Sequence, residues 1–178
     1  VLFRSDLQSR ADGGDVDSML RLVEFHTQGG QDDEVVRWLE RAADLDSSVA
    51  IDLLGDRALG ADDLDSAIGL WTRAAALGNR DSMYSLGWHA YERDDNDEAE
   101  QWWRLGANAG GVSSLATLGA LLADSDTVEA RTWLEKAVEA RVPQAMVTLS
   151  RLEFQDGDED HARTLLDRKS TCLNSSHE

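Results

Sequence analysis

Leucines recur along this chain at a nearly constant interval: Leu22, Leu54, Leu86, Leu118 and Leu149 stand 32, 32, 32 and 31 residues apart. A second series of bulky residues, Trp38, Leu70, Trp102, Trp133 and Leu165, steps by 32, 32, 31 and 32. A third, Val35, Ala67, Ala99, Ala130 and Ala162, sits three residues before it. Three series in one register describe a repeat protein, whose units bury their apolar faces only by stacking on one another.

Small residues keep the same register. Gly55, Gly87 and Gly119 follow their leucines directly, with Val23 and Ser150 in the end repeats. Ser18, Ala50, Ser82, Ser114 and Ala145 precede the leucines by four residues. The pairs Ala42–Ala43, Ala74–Ala75, Gly106–Ala107 and Ala137–Val138 follow the bulky series by four and five. Small side chains let two helix backbones approach while a large one fills the groove opposite. Each repeat therefore reads as two amphipathic helices. Helix A is expected at 15–28, 48–60, 81–92, 112–123 and 143–155, and helix B at 32–45, 63–77, 96–109, 126–140 and 159–168.

The connections carry cap and turn chemistry. Gly29–Asp32, Gly60–Asp63, Asp94–Asp97 and Asp156–Asp158 supply carboxylates and amides that accept from the free N–H groups opening helix B. Gly78 and Gly110 stand where a left-handed residue closes helix B. The one-residue shortening falls near Asp124–Thr127, within a turn. The fold expected is an all-α, right-handed α-solenoid of about five helix-turn-helix repeats of about 32 residues.

The run Ser82…Leu86-Gly87…Ala99…Trp102-Trp103…Ala107…Gly110 resembles the Sel-one-like repeat, a subclass of the tetratricopeptide-like solenoids. The family pattern is Ala-x-x-x-Leu-Gly followed by Ala-x-x-Trp-Tyr-x-x-Ala-Ala-x-x-Gly, over about 36 residues. Here the turn between the helices is tighter and the family's tyrosine positions are poorly kept. The resemblance covers residues 15 to 168 and implies a scaffold defined by its fold rather than by chemistry. The cysteine-rich branch of the family staples its repeats with disulfides; Cys172, the single cysteine, allows none within the chain.

Both ends depart from the register. After Leu165 small residues are due at 169 and 170, where Lys169 and Ser170 stand. Residues 168–178 resemble translated sequencing-adapter read-through at the ends of metagenomic reading frames, and Val1–Ser5 the matching front end. The expected division is a non-native segment 1–5, one bacterial solenoid domain 6–167 and a non-native tail 168–178. On that reading Cys172 is not native and the gene extends past both ends. The compartment stays open, the cytoplasm being slightly favoured for the fragment as given.

Charge narrows the partners. Thirty-five acidic residues against 17 basic give a formal net charge of −18, which repels nucleic-acid phosphate and anionic membrane surfaces. Two readings of this acidity stand side by side: solubility, and a basic or neutral partner. No apolar run reaches membrane-spanning length, and Val1–Arg10 lacks a signal-peptide core.

Little in the chain points to catalysis, cofactor or metal. His26, His89, His161 and His177 are scattered and read as solvent-facing, and no nucleophile elbow is present. Asp94–Glu98 alternates oxygen ligands as a calcium loop does, yet lacks the sixth-position glycine and carries Leu105 at the twelfth. Asp156–Asp160 fails in the same way, and Gly106–Gly111 lies at a helix end rather than after a strand. No catalytic, cofactor-binding or metal-binding residue is expected.

Six tryptophans remain. Trp38, Trp102 and Trp133 keep register and read as core, while Trp71 and Trp103, one residue later, are expected to pack between neighbouring repeats. Trp88 breaks the pattern, two residues past Leu86 on helix A, where such arrays face their concave groove. Tyr84, Tyr91, Asp81 and Glu92 share that face, Asp52 and Asp56 supply charge from the preceding repeat, and Ala116 and Ala120 leave room in the next. Aromatic anchors rimmed by carboxylates mark interaction surfaces, so these residues are the candidate site for a protein or peptide, basic or neutral. The competing reading is that the aromatics fill a narrow groove. Two functions follow: a non-catalytic adaptor or scaffold, or a repeat arm of a larger polypeptide with catalytic or membrane domains elsewhere. Oligomeric state is left open.

Overall fold

The computed structural model describes the backbone of residues 2–175 and the side chains of residues 5–170. Eleven α-helices and no strand occur among the described residues: α1 Leu2–Asp12, α2 Val16–Gln28, α3 Asp32–Asp44, α4 Ser48–Gly60, α5 Leu64–Ala76, α6 Arg80–Glu92, α7 Asn96–Asn108, α8 Val112–Leu122, α9 Thr127–Glu139, α10 Pro143–Asp156 and α11 Glu159–Ser175. From α2 onward they form five A/B pairs within one or two residues of the expected bounds, apart from α11. That helix continues to Ser175, with Lys169 half-buried and Ser170 exposed where the preceding repeat buries Ala137 and Val138.

One helix was not expected. The helix α1 stands where a preceding helix B would, burying Leu7 and Ala11. These residues lie 32 before Leu39 and Ala43, which are also buried, so the register extends further toward the N-terminus than the leucine series alone shows.

The connections repeat every 16 residues. Gly14, Gly30, Asp46, Asp62, Gly78, Asp94, Gly110, Arg141 and Gly157 all have positive φ, one per turn. The next N–H in each turn reaches back five residues to a helix-end carbonyl, as in Ser47 N–H to Ala42 O at 3.0 Å and Asn79 N–H to Ala74 O at 3.0 Å. This is the Schellman closure, which satisfies carbonyls the helix leaves free. That donor residue then serves as N-cap of the following helix: Asp63, Asp95 and Asp158 accept from Ser66, Glu98 and His161 N–H at 3.0–3.1 Å. The exception is the shortened turn between α8 and α9. It has no residue at positive φ, and its cap, Asp126, bonds back only four residues, to Leu122 O at 2.8 Å.

The chain divides into two compact units, Val1–Leu86 and Gly87–Glu178. In the first, Met19, Leu22, Trp38, Leu39, Ala42 and Ile51 are at or near zero exposure. Arg41 and Arg73, one repeat apart, each reach back to the end of the preceding helix B. Arg41 bonds Asp12 at 2.8 Å, and Arg73 bonds Ala43 O at 2.7 Å and Asp46 at 2.8 Å. A cation at a helix C-terminus satisfies free carbonyls and complements the dipole. In the second unit Leu115, Leu118, Leu122, Leu134, Met146, Leu149 and Leu165 are among the buried residues.

The glycines after the leucines show which large residue fills the groove. A Cβ at Gly55 would lie 2.7 Å from the Trp71 ring, at Gly87 2.5 Å from the Trp103 ring, and at Gly119 2.7 Å from Leu134. Trp71 and Trp103 therefore pack against the glycine of helix A within their own repeat, where the expectation was packing between neighbouring repeats. Trp102 is correspondingly only half-buried, its Nε1 donating to Glu98 at 3.3 Å, while Trp38 and Trp133 are core as expected.

Candidate functional site

The expected site residues fall into two groups, one in each unit. In the first, the Ser82 hydroxyl donates to Asp52 Oδ1 at 2.5 Å. Asp56, one turn on from Asp52 along α4, accepts from Trp71 Nε1 at 3.2 Å. Burial lifts the Asp52 carboxyl above its ordinary value. The Ser82 hydroxyl pulls it back, and the carboxylates of Asp56 and Asp81 push it further up. No cation of the described residues forms an ion pair with Asp52, Asp56 or Asp81. Tyr84 is half-buried on α6.

In the second unit the aromatic residues come together. Trp88 and Tyr91, one turn apart on α6, are stacked with ring centroids 5.5 Å apart and planes 16° apart. Beneath them lies Trp103 of α7, 6.0 Å from Trp88 and 5.7 Å from Tyr91, tilted by about 40° to each. Trp103 is 1% exposed, whereas Trp88 and Tyr91 remain 45% and 43% exposed. Gly87 makes this possible, since its missing side chain lets the Trp103 indole lie against the α6 backbone. Glu92 is exposed on the same helix. Sequence reading found the two outer rings but not their floor. It also passed over Phe154, which is 44% exposed and stands two repeats after Tyr91 in the same register.

Of the histidines expected to face solvent, His161 is exposed, His89 is half-buried, His177 lies outside the described residues, and His26 departs from the expectation. His26 is 1% exposed, its Nδ1 2.6 Å from Gln31 Oε1 and its Nε2 without a hydrogen-bond partner. Ala90 and Leu122, in the same register, are buried as well, so repeat position rather than polarity determines its burial.

Glu153, Asp158 and His161 bring ligand atoms within 4.8 Å of one another. Arg131 donates to both Glu153 and Asp156, and His161 Nδ1 lies 3.7 Å from Glu153. The Arg131 guanidinium neutralises the buried Glu153 carboxylate and ties α9 to α10, with His161 of α11 beside it.

No family model and no curated protein sequence matches the chain. Solved structures do. The c5321 protein, a protective antigen of uropathogenic Escherichia coli displaying an SLR fold, superposes with a TM-score of 0.81 at 22% identity over 94% of this chain and 40% of its own. The chain thus spans less than half of that protein's length. A Sel1 repeat protein from Oxalobacter formigenes gives a TM-score of 0.76 at 18% identity, over 88% of this chain and 73% of its own. PilF of Pseudomonas aeruginosa gives 0.67 at 17% identity, over 95% of this chain and 78% of its own. The chain thus has an all-α repeat fold of the Sel1-like, tetratricopeptide-like kind.

Proposed function

We propose that this chain is a non-catalytic adaptor or scaffold that binds a protein segment through its A helices. In the second unit the binding residues are Trp88, Tyr91 and Glu92; in the first they are Tyr84, Asp81, Asp52 and Asp56. The observation that carries this reading is the stacked pair of Trp88 and Tyr91, nearly half exposed on a buried indole. Large apolar side chains are exposed singly on most protein surfaces, but a stacked pair held by a third ring is rigid and loses little side-chain entropy on binding. The fold supports the reading, since tetratricopeptide-like repeats present helix faces to peptides and proteins. A peptide-display selection on the intact chain tests it, counter-screened on a Trp88→Ala/Tyr91→Ala double variant whose helicity and melting are shown to be retained. Enriched peptides that bind the parent and lose about tenfold or more on the variant are expected, as for loss of an aromatic hot spot. Peptides that bind both proteins equally would move binding away from the aromatic pair.

A further inference from the structure

The other tryptophans show what the Trp88–Tyr91 pair lacks. Over Trp38 stand two guanidinium groups of this chain, Arg37 at 5.0 Å and Arg41 at 4.8 Å from the ring centroid. Over Trp133 stands the Lys136 ammonium at 4.3 Å. Among the described residues no cation stands over Trp88 or Tyr91, the aromatic pair most open to solvent. The charge beside the pair is of the opposite sign. Residues 92–100, from the last residue of α6 into α7, hold six carboxylates (Glu92, Asp94, Asp95, Asp97, Glu98 and Glu100) and the single cation Arg93. Arg93 is paired with Glu98 at 2.7 Å and Arg104 with Glu100 at 2.5 Å, while Glu92, Asp94 and Asp97 make no ion pair among the described residues.

From this arrangement we propose that the Trp88–Tyr91 pair receives an arginine side chain of the partner segment. The guanidinium lies on the exposed aromatic surface and within the field of the unpaired carboxylates Glu92, Asp94 and Asp97. The proposal rests on the adaptor reading and names the chemistry of its ligand. Ring quadrupoles attract cations at their faces, and a desolvated floor such as Trp103 strengthens that attraction. Arginine fits better than lysine because its flat, weakly hydrated fork stacks on an aromatic plane while its remaining N–H groups point outward to carboxylates. The steering field of a chain with net charge −18 acts in the same direction.

The test is a calorimetric titration of the intact chain at fixed ionic strength with a synthetic peptide carrying two arginines among small apolar residues. Matched peptides replace the arginines with lysine, with citrulline, which keeps the shape and loses the charge, or with leucine. The arginine peptide is expected to bind about three- to tenfold tighter than the lysine form and at least tenfold tighter than the citrulline form. Trp88→Leu, which keeps apolar area without the ring, is expected to abolish the arginine preference, and Glu92→Gln/Asp94→Asn to reduce it a few-fold. Equal binding of the arginine, citrulline and leucine peptides, with loss in Trp88→Leu, would overturn the cation proposal while leaving the adaptor reading standing. Binding that ignores Trp88 altogether, or no binding by any peptide, would overturn both.

Discussion

Gly87 and Gly69 are both helical glycines, and their surroundings predict opposite outcomes for the same substitution. A Cβ at Gly87 would stand 2.5 Å from the Trp103 ring, and an indole wedged between two helices has no free end to swing aside. Gly87→Ala is expected to destabilise by about 1–3 kcal/mol, the usual penalty of overpacking. At Gly69, in the middle of α5, nothing lies within 4 Å of the added carbon. Gly69→Ala should therefore stabilise by roughly 0.5–1 kcal/mol through the lost freedom of the unfolded chain. Paired urea melts of the two variants measure both. Asp52 gives a residue-scale prediction of another kind. Its folded-state pKa is raised above 3.8, so the folded chain takes up this proton at a higher pH than the unfolded chain does. The group therefore adds stability toward acid and loses it as pH rises through the folded value, leaving a desolvated charge as a cost at neutrality. Asp52→Asn keeps an acceptor for Ser82 and removes that charge. It should raise the Tm at pH 7, with the gain disappearing by about pH 3, below the ordinary aspartate value. A gain that persisted at low pH would mean something other than charge was relieved.

At the scale of the helix and its turns, the rule is one left-handed residue every 16 positions, filled by glycine, by aspartate and once by Arg141 at φ 62°. Aspartate reaches this region with local hydrogen bonding, whereas arginine pays the Cβ–carbonyl clash of about 1–2 kcal/mol. Arg141→Gly should relieve that strain, less the backbone entropy of glycine, for a net gain of about 0.5–1 kcal/mol. Gly78→Ala, at φ 85° with nothing within 4 Å, should lose a similar amount for purely conformational reasons. Thermal melts of the two variants moving in the same direction would refute this account of the turns. The regularity also explains how much of the fold was legible. Helix bounds emerged to within a residue or two because each turn is only a left-handed residue and an N-cap, and both leave marks in the sequence. The groove-filling residue was read one position early, because a 32-residue period fits Trp102 and Trp103 equally well. Only the 100° step of the helix decides which of the two faces Gly87. His26 was read from its polarity, when its register with Ala90 and Leu122 already placed it inside. The outer rings of the candidate site were visible because Trp88 breaks the pattern; their floor was hidden because Trp103 keeps it.

Across the whole molecule the sequence carries 35 acidic and 17 basic residues, so even complete pairing would leave 18 carboxylates unmatched. Many of its ion pairs are short and solvent-exposed, such as Arg41–Asp12 at 2.8 Å, Arg73–Asp46 at 2.8 Å and Arg163–Glu159 at 2.6 Å. Each such solvent-exposed pair contributes little to stability. Salt acts on the attraction and on the repulsion unequally. Charges in contact are screened weakly, whereas repulsion between carboxylates further apart than the Debye length, about 10 Å at 0.1 M, is screened strongly. Added sodium chloride should therefore remove more repulsion than attraction and raise the Tm at pH 7, most steeply below about 0.1 M. The effect should flatten near the isoelectric point of about 4.4, where the net charge that drives it is gone. Thermal melts from low to moderate salt at these two pH values separate this mechanism from a general salting-out of apolar surface, which would stabilise at both. A Tm that fell with salt at pH 7 would show instead that the inter-helix ion pairs outweigh the unmatched carboxylates.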